Sequence, residues 1–356
     1  MTENNANDRL VRRDEAIDVA RGLAVLGMVW VHFVPGVSGG AEGPLPLLHW
    51  VSVAALDGLP AALFLVLMGV SWSVSEGRIC AYVIRRALAL IVLGLAFWHW
   101  VWPDDILVPI AIIMPLLAIV HGMGRRTLVV TTLALLACVP LATALWGDYA
   151  WTDVRDDGTH EANHHVGWFT MRYFLINGAY PLLPWMAFPL VGALLAPMRA
   201  NAYALTRVLL ACVVAIAVAL AVDRAWGDAY VGGIYAHFDI TWQPTSLPFV
   251  ALWGGSAILV IAGLWRWSAT ASLPAAFAPV AAVGRVSLSH YLLHTVVVYG
   301  ALRHWWPDED WPLSVGLMAA VGYAGLALVV TPWLLASGRR GPVETMLAMC
   351  AGRRTR

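Results

Sequence analysis

The chain has 356 residues, of which 60% are hydrophobic and only 12% charged, and its mean hydropathy is +0.72. Soluble domains carry about 45–50% apolar and about 25% charged residues, so this chain lacks the charge to cover a water-facing surface. That excludes an ordinary soluble enzyme, a disordered chain and a nucleic-acid binder with a basic face, and predicts an all-α, polytopic integral membrane protein.

A spanning helix needs about 20 mostly apolar residues. Ten such stretches lie at roughly 16–34, 51–73, 80–101, 105–121, 127–146, 173–197, 204–222, 247–265, 286–302 and 313–336. A further apolar run at 271–284 is too short to span and reads as a re-entrant or interfacial piece. The polar start, MTENNANDRLVRRDEAID, has no signal-peptide core, so the first run is expected to be a retained span. One membrane domain over 16–336 is expected, between an N-terminal tail (1–15) and a basic C-terminal tail (337–356). No internal repeat or low-complexity linker divides it.

All 22 basic residues are arginine, and their net charge against 22 acids is zero. Their distribution is informative. Arg9, Arg12, Arg13, Arg78, Arg85, Arg86, Arg125, Arg126, Arg199, Arg207, Arg266 and the arginines after span 10 fall on one side if there are ten spans. The acids, among them Asp104, Asp105, Asp153, Asp156 and Asp157, collect on the other. The positive-inside rule then puts both termini in the cytoplasm. Several of the 19 tryptophans, including Trp98, Trp100, Trp102, Trp242, Trp305 and Trp306, fall at outer span ends. They read as an interfacial belt, or more sharply as a stacking surface for a sugar-like acceptor.

Ionisable residues inside spans are costly and default to functional candidates. In span 1, Asp18 and Arg21 are three apart and share a helix face, and His32 follows eleven residues later, near three full turns. His49 stands at the mouth of span 2, with Asp57 two turns deeper. In span 9, His290 and His294 lie at i and i+4 with Ser287 and Tyr291 beside them. They could form a metal or haem pair, a hydrogen-bond ladder between helices, or a polar cavity wall, and the last two are favoured. In span 6, Asn177, Gly178, Pro181 and Pro184 break the helix, and irregular backbone at that depth suits a buried or cavity-lining position, with Trp185 facing such a cavity. His160-Glu161-Ala162-Asn163-His164 matches the HExxH zinc pattern, which requires a helix with both histidines on one face and a third ligand, but it sits in a polar loop. A solvated loop or an adventitious metal site is favoured there over a catalytic zinc.

Several short motifs, in order along most of the chain, carry a family likeness. Arg21-Gly22-Leu23-Ala24-Val25-Leu26-Gly27-Met28 resembles the first-span motif of the transmembrane acyltransferase superfamily. This superfamily includes the acyltransferase-3 and heparan-α-glucosaminide N-acetyltransferase-like proteins. Arg21 through His32 resembles the Arg-x10-His pattern of acyltransferase-3. Asp104-Asp105-Ile106-Leu107 is similar to the GDIL element of the DUF418/YeiB-like branch, with Asp in place of Gly. Asn177-Gly178 through Pro184-Trp185, Gly284-Arg285-Val286-Ser287-Leu288-Ser289 and Gly341-Pro342-Val343-Glu344 are similar to further elements of that branch.

The resemblance implies a multi-pass protein of the bacterial cytoplasmic membrane, among membrane lipid, that moves an acyl group from cytoplasmic acyl-CoA to an acceptor outside. Acetyl-CoA is the default donor of this superfamily, and a sugar, glycolipid or metabolite would fit as acceptor. The catalytic histidine would be His32 by the acyltransferase-3 pattern or His49 by the heparan-type pattern, with Asp57 and Asp18 as supporting carboxylates. Histidine suits because its ordinary pKa lies near neutrality. Arg21, Arg78, Arg85 and Arg86 are the candidates for CoA phosphates, since arginine binds phosphate bidentately. Asn177, Trp185, Ser287, His290, Tyr291 and His294 are candidates for the acceptor site. No nucleic acid is expected as partner, and a homo-oligomer is compatible. The alternative reading is a proton-coupled transporter without acyl transfer.

Overall fold

The computed structural model describes residues 14–34, 58–74, 81–101, 105–146, 173–226, 245–306 and 311–352, with the short pieces 56, 152–154, 160–162, 171, 230–231, 234–235 and 240. A helical element stands over each of the ten apolar stretches. They begin with α1 (Glu15–Phe33), α2 (Leu59–Val74), α3 (Ala81–Trp100), α4 (Leu107–Gly122) and α5 (Arg125–Trp146). A π-helical turn (Tyr173–Asn177) leads into α6 (Leu182–Trp185) and α7 (Ala187–Leu195). Then come α8 (Ala202–Trp226), α9 (Leu247–Ser268), α10 (Phe277–Arg285), α11 (Ser287–Leu293), a second π-helical turn (His294–Tyr299), α12 (Gly300–Trp305), α13 (Leu313–Ala336) and α14 (Pro342–Cys350). Among the described residues, five helices are long and apolar enough to cross a membrane alone: α1, α3, α8, α9 and α13.

The exposure pattern fits an apolar solvent. Val92, Val130, Leu210, Val214, Leu326 and Val329 point outward from their helices, while α1 and α9 are the most enclosed of the five long helices. With lipid outside, apolar burial drives helix association weakly, and close backbone approach at small residues replaces it. Two glycine pairs show this. A Cβ at Gly69 of α2 would overlap the Pro189 carbonyl, and one at Gly192 of α7 would overlap the Val66 carbonyl. Likewise Gly22 of α1 meets the Val280 carbonyl, and Gly284 of α10 meets the Asp18 carbonyl.

The second pair corrects an expectation. The run at 271–284 is not wholly a separate piece: its latter part is α10, which packs along α1 and leads directly into span 9 as its first two turns. Gly22 lies against Gly284 and His32 against His294, and both pairs are 262 residues apart. One constant offset over ten residues means that α10 and α11 run parallel to α1. Sequence reading put the boundary at the charged Arg285, and the structure has its helix break at the next residue, where Val286 leaves the helical region (φ −125°, ψ 38°).

That break is capped from outside. The Glu344 carboxylate of α14 accepts from the Leu288 N–H (2.8 Å) and the Ser289 N–H (3.1 Å), and also from the Ser289 hydroxyl. These are exposed donors of the first turn of α11. Glu344 folds back over Gly341, where a Cβ would occupy the space of its carboxylate. The Gly-Pro-x-Glu element is therefore a latch between the C-terminal helix and span 9. Glu344→Ala is expected to destabilise the fold by about 2 kcal/mol, because hydrogen bonds to a charged group are lost together. A lower melting temperature in detergent checks this, with Ser289→Ala giving a smaller drop.

At the same end, Asp14 caps α1 through the Ala16 N–H (3.1 Å) and also accepts from Trp265 Nε1 (3.0 Å) and Arg199 Nε (3.1 Å). Trp98, Trp100 and Trp305 are exposed at the opposite end. Two short antiparallel hairpins lie in the polar loops, Thr152–Val154 with His160–Ala162 and Tyr230–Val231 with Ile234–Tyr235. Because His160–Ala162 is extended backbone, the helix that HExxH requires is not formed there.

Candidate functional site

A cavity of about 1000 Å³ opens among α1, α2, α3, α4, span 9 and α14. That is at the upper end of small-molecule sites. Its wide, arginine-rich end is lined by Arg86, Arg285, Arg339 and Arg340, with Arg21, Ser71, Tyr82 and Ser287 beside them. Its inner part is lined by Phe64, Leu90, Leu107, Ile110, Met114 and Tyr291. A charged mouth on an apolar shaft suits an elongated ligand with an anionic head and a thin apolar tail.

Local sequence sets this polarity. Asp18, buried within α1, holds Arg21 at 3.3 Å, and Arg21 Nη2 donates to Ser71 Oγ of α2 at 2.6 Å. The guanidinium is thereby fixed against the cavity wall rather than free to leave the apolar surroundings. Arg86 donates to the hydroxyl of Tyr82, one turn earlier on α3, at 3.4 Å.

The inner end is closed by two buried groups from distant parts of the chain. The Tyr291 hydroxyl donates to Asp105 Oδ1 at 2.5 Å, and Asp105 Oδ2 accepts from the Leu107 N–H at 3.0 Å. Asp105 thus serves the start of α4 while anchoring Tyr291. Along span 9, Tyr291 lies six residues, about 9 Å, beyond Arg285 of the arginine-rich end.

The histidines lie next. The Tyr291 ring meets His294 edge-on, with centroids 5.8 Å apart. His294 Nδ1 is 2.9 Å from the His290 carbonyl oxygen, and His294 Nε2 is 2.9 Å from His32 Nδ1. A carbonyl only accepts, so His294 Nδ1 carries the proton and its Nε2 is the acceptor. His32 Nδ1 must then donate, which leaves the lone pair on His32 Nε2. This chain of partners orients a histidine for proton abstraction without charging it.

The remaining candidates divide. Arg21, Arg86, Ser287 and Tyr291 line the cavity. Asp18 lies fourteen residues before His32, about 21 Å along the helix, so it acts on Arg21 and not at the histidines. Arg85 is exposed and lies over Gly352, away from the cavity. His290 is buried between Tyr323 Oη (2.9 Å) and Thr331 Oγ1 (2.8 Å), a ladder from span 9 to α13. Trp185 lines neither cavity found among the described residues: it is fully buried, donates to Thr245 Oγ1 (3.0 Å) and packs on Tyr180, Phe188 and Phe249. The proline-broken backbone of span 6 therefore seats an aromatic core. His49, Asp57 and Arg78 lie outside the described residues, as does the side chain of Asn177. Among the described residues no group of three or more His, Cys, Asp or Glu is arranged to hold a metal.

Sequence reading missed Arg285, Arg339 and Arg340 as cavity residues, because Arg339 and Arg340 counted only as positive-inside charges and Arg285 only as part of a motif. It saw Asp105 as an outer-side acid and as part of a motif. No local pattern could have joined Asp105 to a tyrosine 186 residues away.

Apolar helices around an arginine-mouthed cavity of this size are the architecture of a membrane protein with an internal cavity. Residues 13–224 match the family model for the catalytic region of heparan-alpha-glucosaminide N-acetyltransferase, and residues 192–352 match that of DUF418, a protein family of unknown function. The first match spans more than half the chain, and the chain belongs to that family of membrane acetyltransferases. The two matches overlap over residues 192–224. No curated protein matches the chain.

Proposed function

We propose that the protein transfers an acyl group, acetyl by family, from acyl-CoA bound in the arginine-mouthed cavity to a hydroxyl or amine arriving from the opposite side. The positive-inside bias makes the cavity mouth cytoplasmic and the acceptor side extracytoplasmic, in the cytoplasmic membrane of a bacterium. The observation that carries this reading is the stacking order: arginines, apolar shaft, Tyr291–Asp105, then the His294–His32 pair one turn further on.

His32 Nε2 takes the acceptor's proton as the acceptor oxygen or nitrogen attacks the thioester carbonyl. The C–S bond then breaks, and the proton on His32 passes to the departing thiolate. His294 is a positioning residue that holds the His32 ring and its tautomer. Arg86, Arg285, Arg339 and Arg340 meet the phosphates at the mouth, and Arg21 stands deeper on the same helix face as His32.

The test is CoA release by purified protein given acetyl-CoA and candidate acceptors. Release that depends on acceptor supports the reading. Substrate counterflow in vesicles without any CoA release would instead establish the transporter alternative. Arg86→Gln is expected to raise KM for acetyl-CoA about tenfold with kcat little changed, as for a contact made equally in ground and transition states.

A further inference from the structure

A second space lies on the far side of span 9. It is a groove of about 570 Å³ between span 9 and α13, with walls that include Leu293, Val296, Val297, Leu326 and Val330. Leu293, Val296, Val297 and Leu326 are about half exposed or more, so the groove opens sideways, away from the bundle. The polar side chains in its floor are paired with one another, His290 with both Tyr323 and Thr331. They place little further polar demand on an occupant.

The charge is all at one end. At the end of α13, Gly338 adopts a positive φ (78°), and the Arg339 N–H closes back on the Leu334 carbonyl at 3.2 Å. This glycine-terminated turn brings Arg339 and Arg340 under the groove, which both of them line. From Leu326 to Ala336, the last residue of α13, is about 15 Å along the helix, matching the ~15 Å half-thickness of a bilayer's hydrocarbon core.

An apolar slot open to the membrane, one leaflet deep, with two guanidiniums at the headgroup level, has the chemistry of a lipid site. We infer that the groove binds an anionic phospholipid of the arginine-side leaflet, one acyl chain along α13 and its phosphate on Arg339 and Arg340. Nothing in this inference depends on acyl transfer, although Val286, Leu335, Arg339, Arg340 and Gly341 also line the larger cavity.

The experiment is native mass spectrometry of the full-length, delipidated protein titrated with phosphatidylglycerol or with phosphatidylcholine of the same acyl chains. One phosphatidylglycerol is expected to bind at least tenfold more tightly than phosphatidylcholine. The double variant Arg339→Gln/Arg340→Gln should remove that preference, and Val330→Trp, which fills the groove, should weaken binding of both lipids. Equal binding of the two lipids by the wild type overturns the inference. So does binding of dihexanoyl phosphatidylglycerol as tight as that of the long-chain lipid, which would mean a phosphate site with no chain in the groove. That comparison uses only the wild-type protein and so stands even if Val330→Trp does not fold.

Discussion

His32→Ala is expected to lower kcat for acetyl transfer by about 10²–10⁴-fold, the usual worth of a positioned general base. KM for acetyl-CoA should change little, because His32 does not line the arginine-mouthed cavity. His294→Ala should fall between wild type and His32→Ala. It leaves the imidazole of His32 in place but removes the acceptor that fixes its Nδ1–H at 2.9 Å, so part of the population would hold the wrong tautomer. The double variant should be no slower than His32→Ala alone, since residues acting as one unit are not additive. Steady-state CoA release, measured for all three variants, decides this. Wild-type rates in His32→Ala would remove the histidine from the mechanism and leave the family membership and fold untouched.

How far the sequence alone could reach is clear from individual residues. The membrane class follows from composition. The pairing of Asp18 with Arg21 follows from i, i+3 spacing on one helix, and the structure has it at 3.3 Å. His290 and His294 were legible as one helix face for the same reason. What spacing could not supply was the partner across the interface. His290 takes Tyr323 and Thr331, whereas His294, one turn on, takes His32. That division depends on which helix packs on each side of span 9. Trp185 shows the opposite failure. A tryptophan beside helix-breaking prolines suggests a cavity, yet here the broken backbone fits a buried aromatic cluster. Span 9 was started only after Arg285, because a charge next to a short apolar run reads as an exit from the membrane, while the polar residues beyond it were kept inside. Ser287, Ser289 and His290 are polar residues with partners in the fold: Ser289 bonds Glu344, and His290 bonds α13.

The parallel contact of α1 with span 9 gives the largest expected effect on the fold, and it is the contact that sets the histidine pair. Gly284→Val should disturb the His32–His294 pair from nearly three helical turns away. Its branched side chain would enter space held by the Asp18 carbonyl and the Gly22 backbone. Backbone cannot yield as the end of a flexible side chain can, so α10 must move off α1. Overpacking of this kind costs about 1–3 kcal/mol, occasionally more. The same displacement is carried up span 9 to His294, and a shift of about 1 Å in a catalytic group can cost about 10²-fold in rate. Gly284→Val should therefore lower both the melting temperature in detergent and the rate of CoA release. Gly22→Val should do the same from the other side, against Val280. Gly263→Ala is the control: a Cβ there meets nothing within 4 Å, and alanine favours the helix by about 1 kcal/mol. It should leave the rate unchanged and stability equal or higher. If Gly284→Val melts and turns over like wild type, the close approach of span 9 to α1 is not what holds His294 against His32.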